Sequence, residues 1–356
     1  MTFYLHIGMP KTGTTTIQAF LERNRDLLAS RGVIVPRATG SQNHRKLTAY
    51  ALDDTELDHT RRMLGLLSAD KVAQFRLKLD RKLSAEAAGW PAGNSIVVSG
   101  ENMSQLRQPA ELMRLRDLLS PLTAGQIKVV IYLRRQDLFY LSSYSQHIKA
   151  GGTRHWSEMV GDAKKRLYDY TRFLKPWAEH FGEANIVVRP FERSQFAKQD
   201  LLSDFLSVIG LDGELSGFDI PETQNQSLDA QTAEYLRLMN PQFPRYIDDV
   251  VNLSRRELVR AMEAISTGPK LRMAPEFAHS FLSQFSGSNA EVARRYLGRE
   301  DGFLFREKPD DCGESAPQLS VDQAISISAK LWAFKNPVVA SGSSDAPADG
   351  DADGRG

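Results

Sequence analysis

The chain has 356 residues, 41% of them apolar and 25% charged, and its 45 Lys and Arg against 44 Asp and Glu leave a formal net charge of +1. This is the make-up of a globular protein with a sizeable core, and the charge balance excludes a chain that coats nucleic acid through a strongly basic surface. The longest apolar runs, such as residues 128–133, are strand-length and far short of the roughly 18 residues that a membrane span needs.

Residues 2–8 predict a buried strand, and Thr14 to Ser30 predicts a helix with Ile17, Phe20, Leu21, Leu27 and Leu28 near one face. Val33 to Val35 reads as a second strand, followed by a charged, mostly helical insertion over residues 45–89. Two β-branched runs, Ser95 to Ser99 and Ile127 to Leu133, suit inner strands of a parallel sheet. A helix is expected from Asp137 to Lys149, and a last strand from Asn185 to Arg189. Residues 200–335 read as mainly helical. Residues 336–356 are small and acidic, and predict a disordered tail, because they carry too little apolar surface to offset the entropy of ordering. Strands alternating with helices favour a three-layer α/β fold of P-loop nucleotide-binding type, in one domain over residues 1–335.

The single cysteine, Cys312, rules out an internal disulfide, and no Cys-x-x-Cys or His-Glu-x-x-His spacing points to a metal. The apolar run at the start is too short for a secretory leader. The expectation is a cytoplasmic protein with no bound metal.

The most informative segment is Gly8 to Thr16, GMPKTGTTT, because it follows a strand and opens a helix. Unpaired backbone N–H groups and the helix dipole favour an anion at that position. Its two glycines, Gly8 and Gly13, match the spacing of an ATP-type phosphate loop, but Thr14 stands where the lysine should be and Lys11 lies inside the loop. No apolar strand obviously ends in the Asp that would hold magnesium. The loop therefore suits a phosphate ester handled without a metal. The sequence Pro10 to Thr15, PKTGTT, resembles the 5′-phosphosulfate loop of sulfotransferases that use 3′-phosphoadenosine 5′-phosphosulfate (PAPS). Those proteins also carry, at the end of a later strand, an Arg followed eight residues on by a Ser that together hold the donor's 3′-phosphate. Arg134 and Ser142 stand at that spacing here. Where the family has a proline two residues after the arginine, this chain has Gln136. Arg135 can share phosphate binding or face solvent, and the solvent reading is preferred. The resemblance covers residues 1–305 in outline, with softer matches at Arg189 to Glu192 and Ser288 to Gly298.

The resemblance implies transfer of a sulfuryl group from PAPS to an acceptor hydroxyl, leaving adenosine 3′,5′-bisphosphate. Lys11 would stabilise the leaving phosphate, and Lys11, Thr12, Gly13, Thr14, Thr15 and Thr16, with Arg134 and Ser142, would bind the donor. Glu101, just past the strand Ser95 to Ser99 at the sheet's carboxyl edge, is the first candidate for general base. His44 is the second, in a polar loop after Pro36 where a solvated imidazole or one contacting the acceptor is expected before a base. His147 and Lys149 are candidates for approaching the acceptor. Trp156, Tyr168, Tyr170, Phe173 and Trp177 could form an aromatic platform for a sugar ring, although core packing is the stronger reading for them. The insertion over residues 45–89 is expected to form an acceptor wall or lid, and its charged composition favours a polar acceptor over a flat phenol, with a glycan or glycolipid preferred and a small-molecule alcohol left open. The alternatives are a non-catalytic nucleotide-binding module and, less favoured, a P-loop kinase.

Overall fold

A computed structural model of the chain describes residues 1–159, 165–222, 228–247, 250–309 and 319–336. Cys312 and the tail from residue 337 onward lie outside the described residues. The chain groups into two compact units. One comprises Met1–His147, Arg154–Ser227 and Leu271–Ala316, and the other Ile148–Thr153, Leu228–Lys270 and Pro317–Gly356.

The first unit is built on five strands, β1 (Phe3–His6), β2 (Val33–Ile34), β3 (Ser95–Ser99), β4 (Ile127–Leu133) and β5 (Ile186–Pro190), ordered β2-β3-β1-β4-β5. All pairs are parallel; Phe3 stands level with Ile96 on one side and Ile127 on the other. Strands buried on both faces need continuous apolar residues, and Val97, Val98, Val129, Val130 and Ile131 supply them. Because β2 and β3 go to one side of β1 and β4 and β5 to the other, the crevice at the carboxyl end of β1 is where such a sheet receives a ligand.

The helix after β1 is shorter than expected. It runs as α1 (Thr14–Arg23), breaks at Asn24, and resumes as α2 (Arg25–Ser30). At the break, Asn24 leaves helical geometry at φ −107° and ψ 18°, its side-chain amide donates to the Phe20 and Asp219 carbonyls at 2.9 and 2.8 Å, and its Oδ1 accepts from Asp219 N–H. Ile17, Phe20 and Leu21 of α1 pack with Tyr4, Val97, Val130 and Phe205 in the core.

The insertion forms three helices, α3 (Arg45–Ala51), α4 (His59–Met63) and α5 (Ala69–Ala87). Arg61, Arg76 and Arg114 all donate to the Leu52 carbonyl, at 2.7, 2.9 and 2.8 Å, satisfying the orphan end of α3 with positive charge. The helices α6 (Pro109–Leu119) and α7 (Gln136–Lys149) follow β3 and β4. All five aromatic candidates, Trp156, Tyr168, Tyr170, Phe173 and Trp177, are buried, so they are core side chains.

The second unit contains the helices Ala230–Met239, Leu253–Ile265 and Val321–Lys335, and a two-stranded pair, Tyr246–Ile247 with Val250–Val251, that the sequence did not announce. Arg255 ties it together, donating to the carbonyls of Ile148, Lys149 and Phe243 and to Asn240 Oδ1. No helix among the described residues is long and apolar enough to cross a membrane.

Candidate active site

The β1–β4 ladder continues past the strand and fixes the loop. Ile7 N–H donates to Val130 O, Tyr132 N–H to Gly8 O, and Met9 N–H to Tyr132 O, at 2.8 to 3.1 Å. Gly8 has φ 114°, which only glycine adopts readily. A Cβ there would lie a tight 3.2 Å from Pro10 N and at ordinary van der Waals distance, 3.5 Å, from Glu101 Cα. Lys11 and Gly13 are left-handed too, at φ 67° and 73°. Thr12 braces the turn by donating to Met9 O at 2.6 Å. The helix α1 then opens at Thr14 with no side-chain cap. Its first N–H groups therefore have no intrahelical acceptor and stand ready for an anion, with the half-buried Thr15 and Thr16 beside them.

Glu101 follows β3, at the start of the short 3₁₀ turn Glu101–Gln105. Gly100 N–H donates to His6 O at 2.9 Å, which draws this turn alongside the loop. The Glu101 side chain is half-buried, and its Oε2 accepts a hydrogen bond from Thr14 Oγ1 at 2.5 Å. Two segments that the sequence keeps 87 residues apart thus meet as a carboxylate against the first residue of α1.

His44 does not occupy the solvated loop expected for it. It is fully buried, because Arg25 donates to the carbonyls of Val35, Pro36 and Gly40 and pins the whole segment down. His44 Nδ1 accepts from Ser99 N–H at 3.0 Å, and Nε2 lies 3.3 Å from Pro36 O, which fits a neutral ring protonated on Nε2. Burial pushes its pKa down to about 4. Both ring nitrogens therefore serve the backbone at the end of β3.

Arg134 ends β4, and its Nη1 donates to the Lys11 carbonyl at 2.9 Å, so the second motif reaches the loop itself. Tyr170 donates to the Arg134 carbonyl and fixes the backbone there. Burial lowers the pKa of the Arg134 guanidinium, against the opposing charge of Asp137. Its Nε is buried without a hydrogen-bond partner among the described residues, an orphan donor beside the loop that its Nη1 reaches. Lys11 Nζ donates to Gln146 Oε1 of α7 at 2.9 Å. Ser142 lies one turn before Gln146, so helical spacing puts it on the loop-facing side of α7.

Arg135 is not a solvent-facing neighbour of Arg134. It is only 7% exposed, grips Asp137 through two bonds of 2.8 and 2.9 Å, and donates to Glu307 O. Burial opposes its charge, but the Asp137 bonds outweigh that and raise its pKa. Gln136, in place of the family's proline, starts α7 and exchanges amide hydrogen bonds with Asn289 at 2.7 and 3.1 Å. Lys149 pairs with Glu263 at 2.7 Å, and His147 is half-buried with its Nε2 unpartnered among the described residues.

Two residues near the loop escaped the sequence reading. His6, at the end of β1, is fully buried, bonds Ser99 Oγ through Nδ1 at 2.8 Å, and is pushed down to about 3 by burial. A histidine closing an apolar strand just before a phosphate loop is the signal that could have found it. Gln146 carried none. A groove of about 840 Å³ between α5 and α6, lined by Leu83, Met113, Arg114 and Leu122 among others, contains none of the loop residues.

No family model matches the sequence. An uncharacterized protein from Archaeoglobus fulgidus is 28% identical over 205 residues, 56% of this chain and 53% of that protein, so the match spans about half of the relative's length. The crystal structure of a sulfotransferase from Alicyclobacillus acidocaldarius aligns with 68% of this chain and 92% of its own, at 17% identity and a TM-score of 0.38. That TM-score is too low for the likeness to bear on fold or function.

Proposed function

We propose that the chain is a sulfotransferase that moves the sulfuryl group of PAPS to a hydroxyl of a carbohydrate acceptor. The observation that carries the reading is the contact between Glu101 and Thr14, because it sets a carboxylate beside the helix start where the donor's 5′-phosphate would sit. The acceptor oxygen attacks sulfur while the bond from sulfur to the 5′-phosphate oxygen breaks. Glu101 takes the acceptor's proton, and Lys11 meets the charge growing on the departing phosphate oxygen. Backbone N–H groups of Thr14 to Thr16 hold that phosphate, and Arg134 and Ser142 take the donor's second phosphate. A sulfuryl group carries less negative charge than a phosphoryl group, so fixed donors and one lysine can replace metal ions. Glu101 is preferred to His44 as base because both His44 ring nitrogens are engaged with buried backbone groups.

The test is transfer of labelled sulfate from PAPS to pooled glycans by the full chain without added metal, with Glu101→Gln alongside. Labelled glycan from the wild type, and its loss in the variant at saturating PAPS, is the expected result. Binding of adenosine 3′,5′-bisphosphate with no transfer to any acceptor would instead favour a binding module.

A further inference from the structure

The hydrogen bond between Thr14 and Glu101 carries a consequence for how the site is loaded, and the inference rests on the sulfotransferase reading. A threonine hydroxyl has one proton to donate. Thr14 now gives it to the Glu101 carboxylate at 2.5 Å. An ionised phosphate at the start of α1 also only accepts hydrogen bonds, so the same proton cannot serve both. Thr14 is the first residue of α1 and is 3% exposed, so its hydroxyl has few other places to turn. The backbone at Glu101 is braced by its carbonyl accepting from Ser104 Oγ at 2.6 Å and by Gly100 N–H donating to His6 O at 2.9 Å. The exchange of partners therefore falls on the hydroxyl.

We propose that Thr14 is a positioning residue that couples donor loading to the base: its hydroxyl occupies Glu101 in the empty protein and is handed to the donor's 5′-phosphate on binding. Before loading, one of the carboxylate's lone-pair sites, on Oε2, is engaged by Thr14. After loading that site is released, so Glu101 competes with the donor for Thr14.

The competition is measurable as a coupling between two substitutions. Calorimetry gives the affinity for adenosine 3′,5′-bisphosphate of the wild type, Glu101→Ala, Thr14→Val and the double variant; alanine is used because a glutamine would still accept from Thr14 through its carbonyl oxygen. Removing the Glu101 carboxylate tightens binding in both backgrounds by relieving repulsion, but it also releases the hydroxyl only where Thr14 is present. Glu101→Ala is thus expected to tighten binding about tenfold more with Thr14 than in the Thr14→Val background, the scale of one charge-assisted hydrogen bond. Thr14→Ser should behave as wild type, and Thr14→Ala provides a second background without the donor. An equal gain in all backgrounds overturns the coupling while leaving the sulfotransferase reading intact. Failure of every variant, and of the wild type, to bind the nucleotide removes both.

Discussion

Replacing Gly13 by alanine tests the loop's geometry in a way that separates backbone from packing. Gly13 sits at φ 73° immediately before α1, and a left-handed conformation costs an L-residue about 1–2 kcal/mol. Its new Cβ would lie 2.2 Å from Leu201 Cδ2 and 3.4 Å from Phe191 Cε2, so a contact must give way. Overpacking of this kind costs about 1–3 kcal/mol. Leu201 is half-buried and meets Gly13 with the end of a flexible side chain, so it can turn aside. The expected loss is therefore about 2–3 kcal/mol, in the lower half of the combined range. Urea unfolding of wild type and Gly13→Ala reads it. The same substitution in a Leu201→Ala background should retain only the backbone part, about 1–2 kcal/mol. A Gly13→Ala protein within about 0.5 kcal/mol of wild type would refute the strained turn and, with it, the cradle.

Acid should weaken the fold through the two buried histidines. His6 and His44 have pKa values of about 3 and about 4 against 6.5 for the free group, so the unfolded chain takes up protons that the folded chain refuses. Their contribution is complete above pH 6.5 and is lost as pH falls towards those values, about 3 kcal/mol for His44 alone; His44→Gln should flatten that arm of the stability curve, and an unchanged arm would contradict the assignment. Arg134→Ala should weaken adenosine 3′,5′-bisphosphate binding about tenfold or more. Arg135→Ala, which strands the buried Asp137, should instead lower stability by about 3–5 kcal/mol and spare the affinity of folded molecules. The opposite pattern would exchange the two roles. Lys11→Ala and Glu101→Gln should each lower turnover at saturating PAPS by about 10² or more, and near-normal rates in either would move its role elsewhere.

Much of the sheet was legible because a strand buried on both faces must be continuously apolar. The bounds of β3 and β4 coincide with the two β-branched runs that mark them in the sequence. The break at Asn24 was not legible, since the Asp219 backbone that its side chain bonds there lies 195 residues away. In the site, the strand–loop–helix order was legible, and the glutamate past β3 could be placed at the same sheet edge. The states of the charged residues could not be read. Arg134 and Arg135 are adjacent and chemically identical in sequence, and what separates them is the direction each side chain takes from the strand end, one to Lys11 and the other to Asp137 and Glu307. His44 looked solvated because its neighbours are polar, yet Arg25, which buries its loop, belongs to α2.

The most direct measurement is calorimetry of the purified full chain with adenosine 3′,5′-bisphosphate in chelator, set against ATP with magnesium. A loop built around an internal lysine and gripped by Arg134 should take up the bisphosphate without metal and give no heat with magnesium ATP. Uptake of magnesium ATP by a protein that ignores the bisphosphate would contradict the assignment of the site.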